Sequence, residues 1–374
     1  PKNLVNKTTL LRADLNIPLD STGKIKDNTR LIAIIPTIKN LLAQGCNITI
    51  ISHLGRPQPG VVTQTNSLIH ILKPLEQLLN KKIEWLPGWP NSSAKTKLAL
   101  AENVRFLQGE TANSLELAKL MATNVDLFVM DAFGCSHRCH ASTDAITKFV
   151  PQAVVGLLIK RELAVIEAIK YQSKQPLTLI IGGAKIESKL PLLKALLPLA
   201  DNILVGGGVA NTFIKAQGNN IGKSLYDSDF VNIAQQMLHD KFHLPVDAIC
   251  APSPKDPGQI KQTTTINSDD AIVDIGPQTV QKFIEILNKS QTIIWAGPVG
   301  YFEKPDFSAG CRLLAKHLAK SAAFTIVGGG DTVSCIDNAL LSKINLVSTG
   351  GGAFLEALQT MPKALVKYTN KHRV

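Results

Sequence analysis

Residues 131–140, read as "DAFGCSHRCH", place two cysteines and two histidines within the six positions from Cys135 to His140. Thiols and imidazoles this close together raise metal ligation or haem attachment, and the spacing argues against both. Haem attachment takes Cys-x-x-Cys-His, whereas three residues separate Cys135 from Cys139. Structural zinc sites typically gather four ligands from two separated pairs. No second pair lies nearby in the chain, and Arg138 sets a permanent cation among the would-be ligands. Arg138 follows the apolar run "LFVMD", where an arginine can contact an anion; taken alone, it would read as an ordinary surface arginine.

Other stretches carry phosphate chemistry. "GNNIGKS" (218–224) looks like a P-loop, but three residues separate its glycines where that motif has four. It also follows a helical pattern rather than a strand, and the P-loop needs strand, loop and helix in that order. "DAFG" is not the Asp-Phe-Gly of protein kinases, and no Val-Ala-Ile-Lys strand accompanies it. "IVGGGDTVSCIDNALL" reads as strand, glycine turn and helix, so that Asp331 and Thr332 follow a turn whose free N–H groups suit an anion. Asp331 suits Mg²⁺, which typically takes one or two carboxylates plus phosphate oxygens, or else it caps a helix. In "IIGGAKIESKL", Lys185 and Lys189 stand four apart after another Gly-Gly, able to neutralise phosphate charge.

Positioning such groups requires strand ends. Short β-branched runs recur at 8–16, 47–57, 98–106, 125–134, 177–185, 202–211, 271–276, 291–300, 324–332 and 344–352, with amphipathic helical stretches between them. That alternation predicts α/β architecture with buried parallel sheets, whose ligands bind beyond the carboxyl ends of the strands. First-half strand ends carry charge: Arg12 and Asp14, His53 and Arg56, Arg105, and Asp131 leading to Arg138. Second-half ends carry glycines at 182–183, 206–208, 328–330 and 350–352. A helix over 159–172 separates the halves.

The chain has 374 residues, 45% apolar and 18% charged, which predicts roughly two domains with substantial cores. No apolar run approaches the roughly 18 residues that span a bilayer, and no export signal opens the sequence. The six cysteines sit mostly in apolar segments, so a reducing cytoplasm is expected and no membrane partner. The net charge of +11 is spread along the chain, with no basic run longer than Lys81-Lys82. It is open to nucleic acid, small polyanions or a solvated basic surface.

Taken together, "LLRADLNIP", "DNTR", "SHLGRP", "ENVRF", "DAFGCSHRCHAST", "GGAKIESK", "GGGVANTF", "GKSL", "DIGP", "WAGPVGYFE", "TIVGGGDT" and "STGGGA" resemble the phosphoglycerate kinase family, in that family's order and from near the N-terminus to about residue 356. The resemblance implies two Rossmann-like three-layer domains with parallel sheets, joined by a helix and hinge. They are an acceptor domain over 1–157, a linking helix over 158–172, a nucleotide domain over 173–355, and a segment over 356–374 that packs back on the first domain. It implies reversible, Mg²⁺-dependent phosphoryl transfer between ATP and the carboxylate of 3-phosphoglycerate, giving ADP and 1,3-bisphosphoglycerate. The enzyme would be a monomer, would bind no nucleic acid, and would act by domain closure.

By motif match, the 3-phosphoglycerate site would comprise Asp14, Asn16, Arg30, His53, Leu54, Gly55, Arg56, Arg105 and Arg138. The nucleotide site would comprise Gly183, Lys185, Lys189, Gly207, Glu303 on the ribose, and Gly329, Gly330, Asp331 and Thr332, with Asp331 towards the metal. Arg30, Lys185 and Lys189 would hold the charge of the phosphoryl group in flight. A carboxylate acceptor needs no general base, and the chain shows no His/Asp dyad or nucleophile elbow. Two departures stand out: Ala296 replaces the asparagine of the family's "WNGP" block, and Cys135 and Cys139 flank Arg138, where smaller residues are commoner. Thiol modification there is expected to block the acceptor site. The rival readings are a non-catalytic nucleic-acid-binding protein on the same fold, and a kinase acting on another carboxylate.

Overall fold

The computed structural model describes residues 4–20, 22–253, 255–348, 350, 352–359 and 365. The chain forms two compact units, divided between Ala164 and Val165.

The first unit carries β1 (Thr8–Ala13), α1 (Thr29–Ala43), β2 (Asn47–Ile51), α2 (Ile69–Leu79), β3 (Glu84–Leu86), β4 (Leu98–Ala101), α3 (Leu115–Met121), β5 (Leu127–Asp131) and β6 (Gln152–Val155). The six strands form one sheet in the order β3-β4-β2-β1-β5-β6, and every pairing is parallel. Every residue of β4 and β5 is buried, as expected when helices cover both faces of a sheet. On α1, Leu31, Ile34, Ile38 and Leu41 recur at helical spacing and are buried. They pack with Leu11, Ile48, Ile50 and Leu100 of the sheet in one core, each such side chain contributing about 1.5–3 kcal/mol of burial.

Helix α4 (Leu157–Gln172) begins in the first unit and runs past the division. Its N-terminus is fastened by a buried carboxylate: the Ile159 amide donates to Asp131 Oδ1 at 3.0 Å. The Thr37 hydroxyl donates to the other oxygen of Asp131 and accepts from the Leu157 amide at 3.2 Å. One carboxylate therefore ties the end of β5 to α1 and α4 and satisfies helix-end donors that would otherwise be orphaned.

The second unit continues with β7 (Leu177–Ile181), α5 (Leu190–Leu196), β8 (Asn202–Val205), α6 (Gly207–Ala216), α7 (Val231–Met237), β9 (Phe242–His243), β10 (Asp247–Ala251), β11 (Gln259–Gln262), β12 (Ala271–Ile275), α8 (Pro277–Leu287), β13 (Thr292–Ala296), α9 (Ala309–Leu318), β14 (Phe324–Gly328), α10 (Gly330–Ser334), α11 (Asn338–Leu341), β15 (Leu346–Ser348) and α12 (Gly352–Gln359). Its main sheet has the order β15-β14-β13-β7-β8-β9 and is parallel throughout. Trp295, fully buried on β13, packs with Phe283 and Leu287 of α8 and Leu314 of α9.

One expectation is corrected here. The run at 271–276 does not join the parallel sheet; β12 pairs antiparallel with β10 in a separate three-stranded sheet. Its partner β10 and the strand beyond it, β11, are not among the expected runs; β11 is almost wholly exposed. The expected return of residues 356–374 falls largely outside the described residues, while α12, which reaches Gln359, packs on α5 in the second unit.

Candidate active site

The acceptor-type residues gather at the carboxyl ends of β1, β2, β4 and β5. Asp14 follows β1 and accepts from Arg30 at 3.3 Å and from the Asn16 amide at 3.2 Å. Arg30, in the first turn of α1, also donates to the Asn16 carbonyl at 2.6 Å. Asn16 Oδ1 takes the Gly55 amide at 2.8 Å, so the β1 and β2 loops are laced together. Gly55 adopts φ +65° and a Cβ there would lie 2.1 Å from Asn66 Nδ2, so only glycine fits. The Leu54 carbonyl accepts from Asn103 Nδ2 at 2.7 Å. Arg105, in a single 3-10 turn after β4, donates to the Gly55 carbonyl. Its Nε is buried and has no hydrogen-bond partner among the described residues. Arg138 Nε lies 3.0 Å from His137 Nε2.

His53 sits at the centre of this group. Burial first, and then the charges of Arg12, Arg105, Arg138 and Arg30, push its pKa well below 6.5. Burial and the same arginine cluster push His140 down to about 4. Arg30, Arg105 and Arg138 are therefore brought together around His53. Arg56 is exposed.

Sequence reasoning noted Arg12 as a strand-end charge but gave it no role, and it left out Ser52, Glu110 and Ser142. Arg12 is 1% exposed, and its Nε donates to Ser142 Oγ at 3.0 Å. Ser142 in turn donates through Oγ to Glu110 at 2.6 Å and through its amide at 3.0 Å. The signal was present: a lone arginine inside the strand "TTLLRA" is a charge in an element buried from its second residue on.

In the second unit, the strand-end glycines are stitched to the segment after β13. The Gly182 amide donates to the Ala296 carbonyl at 3.0 Å, Gly183 to Pro298 at 2.7 Å, and Gly207 to Val299 at 2.8 Å. Thr332 accepts from the Gly297 amide at 2.7 Å and donates to the Gly328 carbonyl at 2.8 Å. At Gly207, with φ +59°, a Cβ would meet the carbonyls of Gly183 and Pro298, both at 2.9 Å.

These turns border a cavity of about 420 Å³ to which Gly183, Gly207, Glu303 and Asp331 contribute, with apolar walls from Ile214, Leu225 and Val273. Such a combination suits a flat, partly apolar ligand with an anionic tail. Lys189 Cε passes over Gly183, 3.2 Å from where a Cβ would be. Burial lowers the Lys189 pKa, and the charge of Asp331 opposes that. Lys185 is exposed. Gly329 has φ +101° and opens α10, a helix of only five residues. Asp331, a carboxylate at a glycine turn beside a lysine, is a hard oxygen donor that fits Mg²⁺ sharing phosphate oxygens.

Comparison with known proteins bears on this arrangement. A sequence model described as phosphoglycerate kinase matches residues 2–361. A phosphoglycerate kinase of Legionella pneumophila (strain Lens) is 41% identical over 390 residues, covering 99% of this chain and 97% of that protein. One from Baumannia cicadellinicola is 41% identical over 367 residues, covering 96% and 95%. Among solved structures, phosphoglycerate kinase from Coxiella burnetii superposes with a TM-score of 0.87 at 38% identity, covering 99% of this chain and 98% of that one. The Pyrococcus horikoshii enzyme gives 0.85 at 29% identity, covering 98% and 97%.

Proposed function

The chain belongs to the phosphoglycerate kinase family of phosphotransferases, and from that premise we propose how its residues divide the reaction. The first unit binds 3-phosphoglycerate through Asp14, Asn16, Arg30, His53, Leu54, Gly55, Arg56, Arg105 and Arg138. The second binds ATP or ADP through Gly183, Lys185, Lys189, Gly207, Glu303, Gly329, Gly330, Asp331 and Thr332. The observation that carries the reading is the excess of positive charge acting on His53: Arg12, Arg105, Arg138 and Arg30 all bear on it, and a buried Arg105 N–H has no partner among the described residues. Asp14 is paired with Arg30 and Glu110 is reached from Arg12 through Ser142, so the arginines outnumber the carboxylates, and a substrate with both a phosphate and a carboxylate suits that excess.

The acceptor carboxylate is ionised at neutral pH, so no residue has to remove a proton. What remains is alignment and charge stabilisation in a site closed to water. Arg30, Lys185 and Lys189 meet the charge that spreads over the transferring group. Asp331 would hold Mg²⁺, which when bound would neutralise charge on the nucleotide's phosphates. Donor and acceptor residues lie on separate units, so transfer requires the units to close.

No described helix is long and apolar enough to cross a membrane, and the scattered free cysteines fit the reducing cytoplasm. Only the net charge speaks for nucleic-acid binding. A coupled assay of ADP formation from ATP tests the proposal. Turnover should require both 3-phosphoglycerate and Mg²⁺; ADP release indifferent to 3-phosphoglycerate would rule the proposal out.

A further inference from the structure

Asp14, His53 and Cys135 are all buried and bring ligand-type atoms within 4.8 Å of one another, a set that could hold a cation. A permanent cation is already among them. Arg12 NH2 lies 3.3 Å from His53 Nδ1 and 4.0 Å from Cys135 Sγ. The guanidinium is held at its other nitrogens, by Ser142 at Nε and by the Ala13 carbonyl and the Ser52 hydroxyl, at 3.5 Å, at NH1. It cannot swing aside without abandoning buried hydrogen bonds.

A guanidinium carries only donors. The imidazole nitrogen it meets must therefore present a lone pair. Cys135 Sγ approaches the same nitrogen at 3.8 Å, and burial pushes its thiol up to about 11, so this group too brings a hydrogen. The hydrogen-bond contacts of His53 Nδ1 among the described residues are Arg12 NH2 and Cys135 Sγ; the guanidinium can only donate, and in a neutral ring the proton then sits on Nε2.

We infer that buried Arg12 locks His53 as the neutral Nε2–H tautomer, so that the ring offers a donor, not a lone pair, to the anion in the acceptor site. Arg12 is thus a positioning residue, acting through His53. The opposite tautomer would set a lone pair against a carboxylate or phosphate oxygen. The chain from Arg12 through Ser142 to Glu110 keeps the guanidinium in place. This inference rests on the proposed acceptor site for its consequence, but the tautomer itself is a property of the free protein.

Long-range ¹H–¹⁵N correlation on the full-length, ligand-free protein at pH 7.5 reads the tautomer, with His53→Gln identifying the signals. The expected spectrum has a pyrrole-type Nε2 and a pyridine-type Nδ1. A pyrrole-type Nδ1, or a doubly protonated ring, would overturn the inference. Arg12→Met should mix the tautomers and raise KM for 3-phosphoglycerate roughly tenfold, the worth of a charged hydrogen bond, with KM for ATP unchanged. Arg12→Lys, which keeps a charged donor, should restore most of both. Arg12→Met with a pure Nε2–H spectrum would also overturn the inference. If Arg12→Met does not fold, the wild-type and Arg12→Lys spectra decide. A pure Nε2–H spectrum in a protein that does not turn over 3-phosphoglycerate would support the tautomer and count against the acceptor-site reading.

Discussion

Ala296 closes β13 with its carbonyl bound to the Gly182 amide, and its methyl group stands where the family's block carries asparagine. The resemblance implies that a side-chain hydrogen bond near the nucleotide, worth about 1 kcal/mol, would be forgone here. Ala296→Asn should lower KM for ATP and ADP several-fold; steady-state kinetics showing no change would remove asparagine from any nucleotide contact. The cysteines beside Arg138 divide differently from what the sequence implied. Cys135 is buried with its pKa pushed up to about 11, whereas Cys139 is exposed. Mild alkylation of the native protein should therefore modify Cys139 and spare Cys135, as peptide mass mapping will show. Protection of the product by 3-phosphoglycerate would tie Cys139 to the acceptor site. Spacing alone had separated the thiols from metal chemistry, but it could not reveal that Arg12, 123 positions before Cys135, meets both Cys135 and His53. That contact exists only because β1 and β5 are neighbours in the sheet.

At the scale of elements, Asp131 is the junction to test. Burial raises its carboxyl from 3.8 to about 6 against the hydrogen bonds from Thr37, Ile159 and Leu158. The folded state therefore prefers the protonated form more than the unfolded chain does. The stability this contributes is full below about pH 4 and is lost as pH rises through about 6, a change of about 3 kcal/mol. Asp131→Asn lacks this dependence, so its stability relative to wild type should climb between pH 4 and 7. Parallel urea titrations would show the difference between the two proteins, and a constant difference would place the Asp131 pKa near its ordinary value. The elements themselves were largely legible. The β-branched runs became β1, β2, β4, β5, β7, β8, β13, β14 and β15, because a strand buried on both faces must be continuously apolar. The short edge strands β3 and β9 carry too few residues to show a period, and β12 reads like a parallel strand although its partners make it antiparallel.

For the molecule as a whole, each unit has its own core: one built on Leu11, Ile34 and Ile50, the other on Phe283, Ile293 and Trp295. Ile34 is completely buried, and Ile34→Ala should cost about 2–5 kcal/mol. Hydrogen exchange should accelerate through β1, β2 and α1 while β13 and β14 keep their protection. Equal loss in both units would mean that they unfold as one. The sheet order also has a consequence in time. β1 precedes the other described strands, yet it lies inside its sheet, and its neighbour β5 begins only at Leu127. At cellular synthesis rates of about 5–20 residues per second, that edge waits on the order of ten seconds for its partner while the ribosome works. β7 waits in the same way for β13, which begins at Thr292. The nascent chain thus exposes bare strand edges in both units, and it is during translation that this protein most needs shielding from its neighbours.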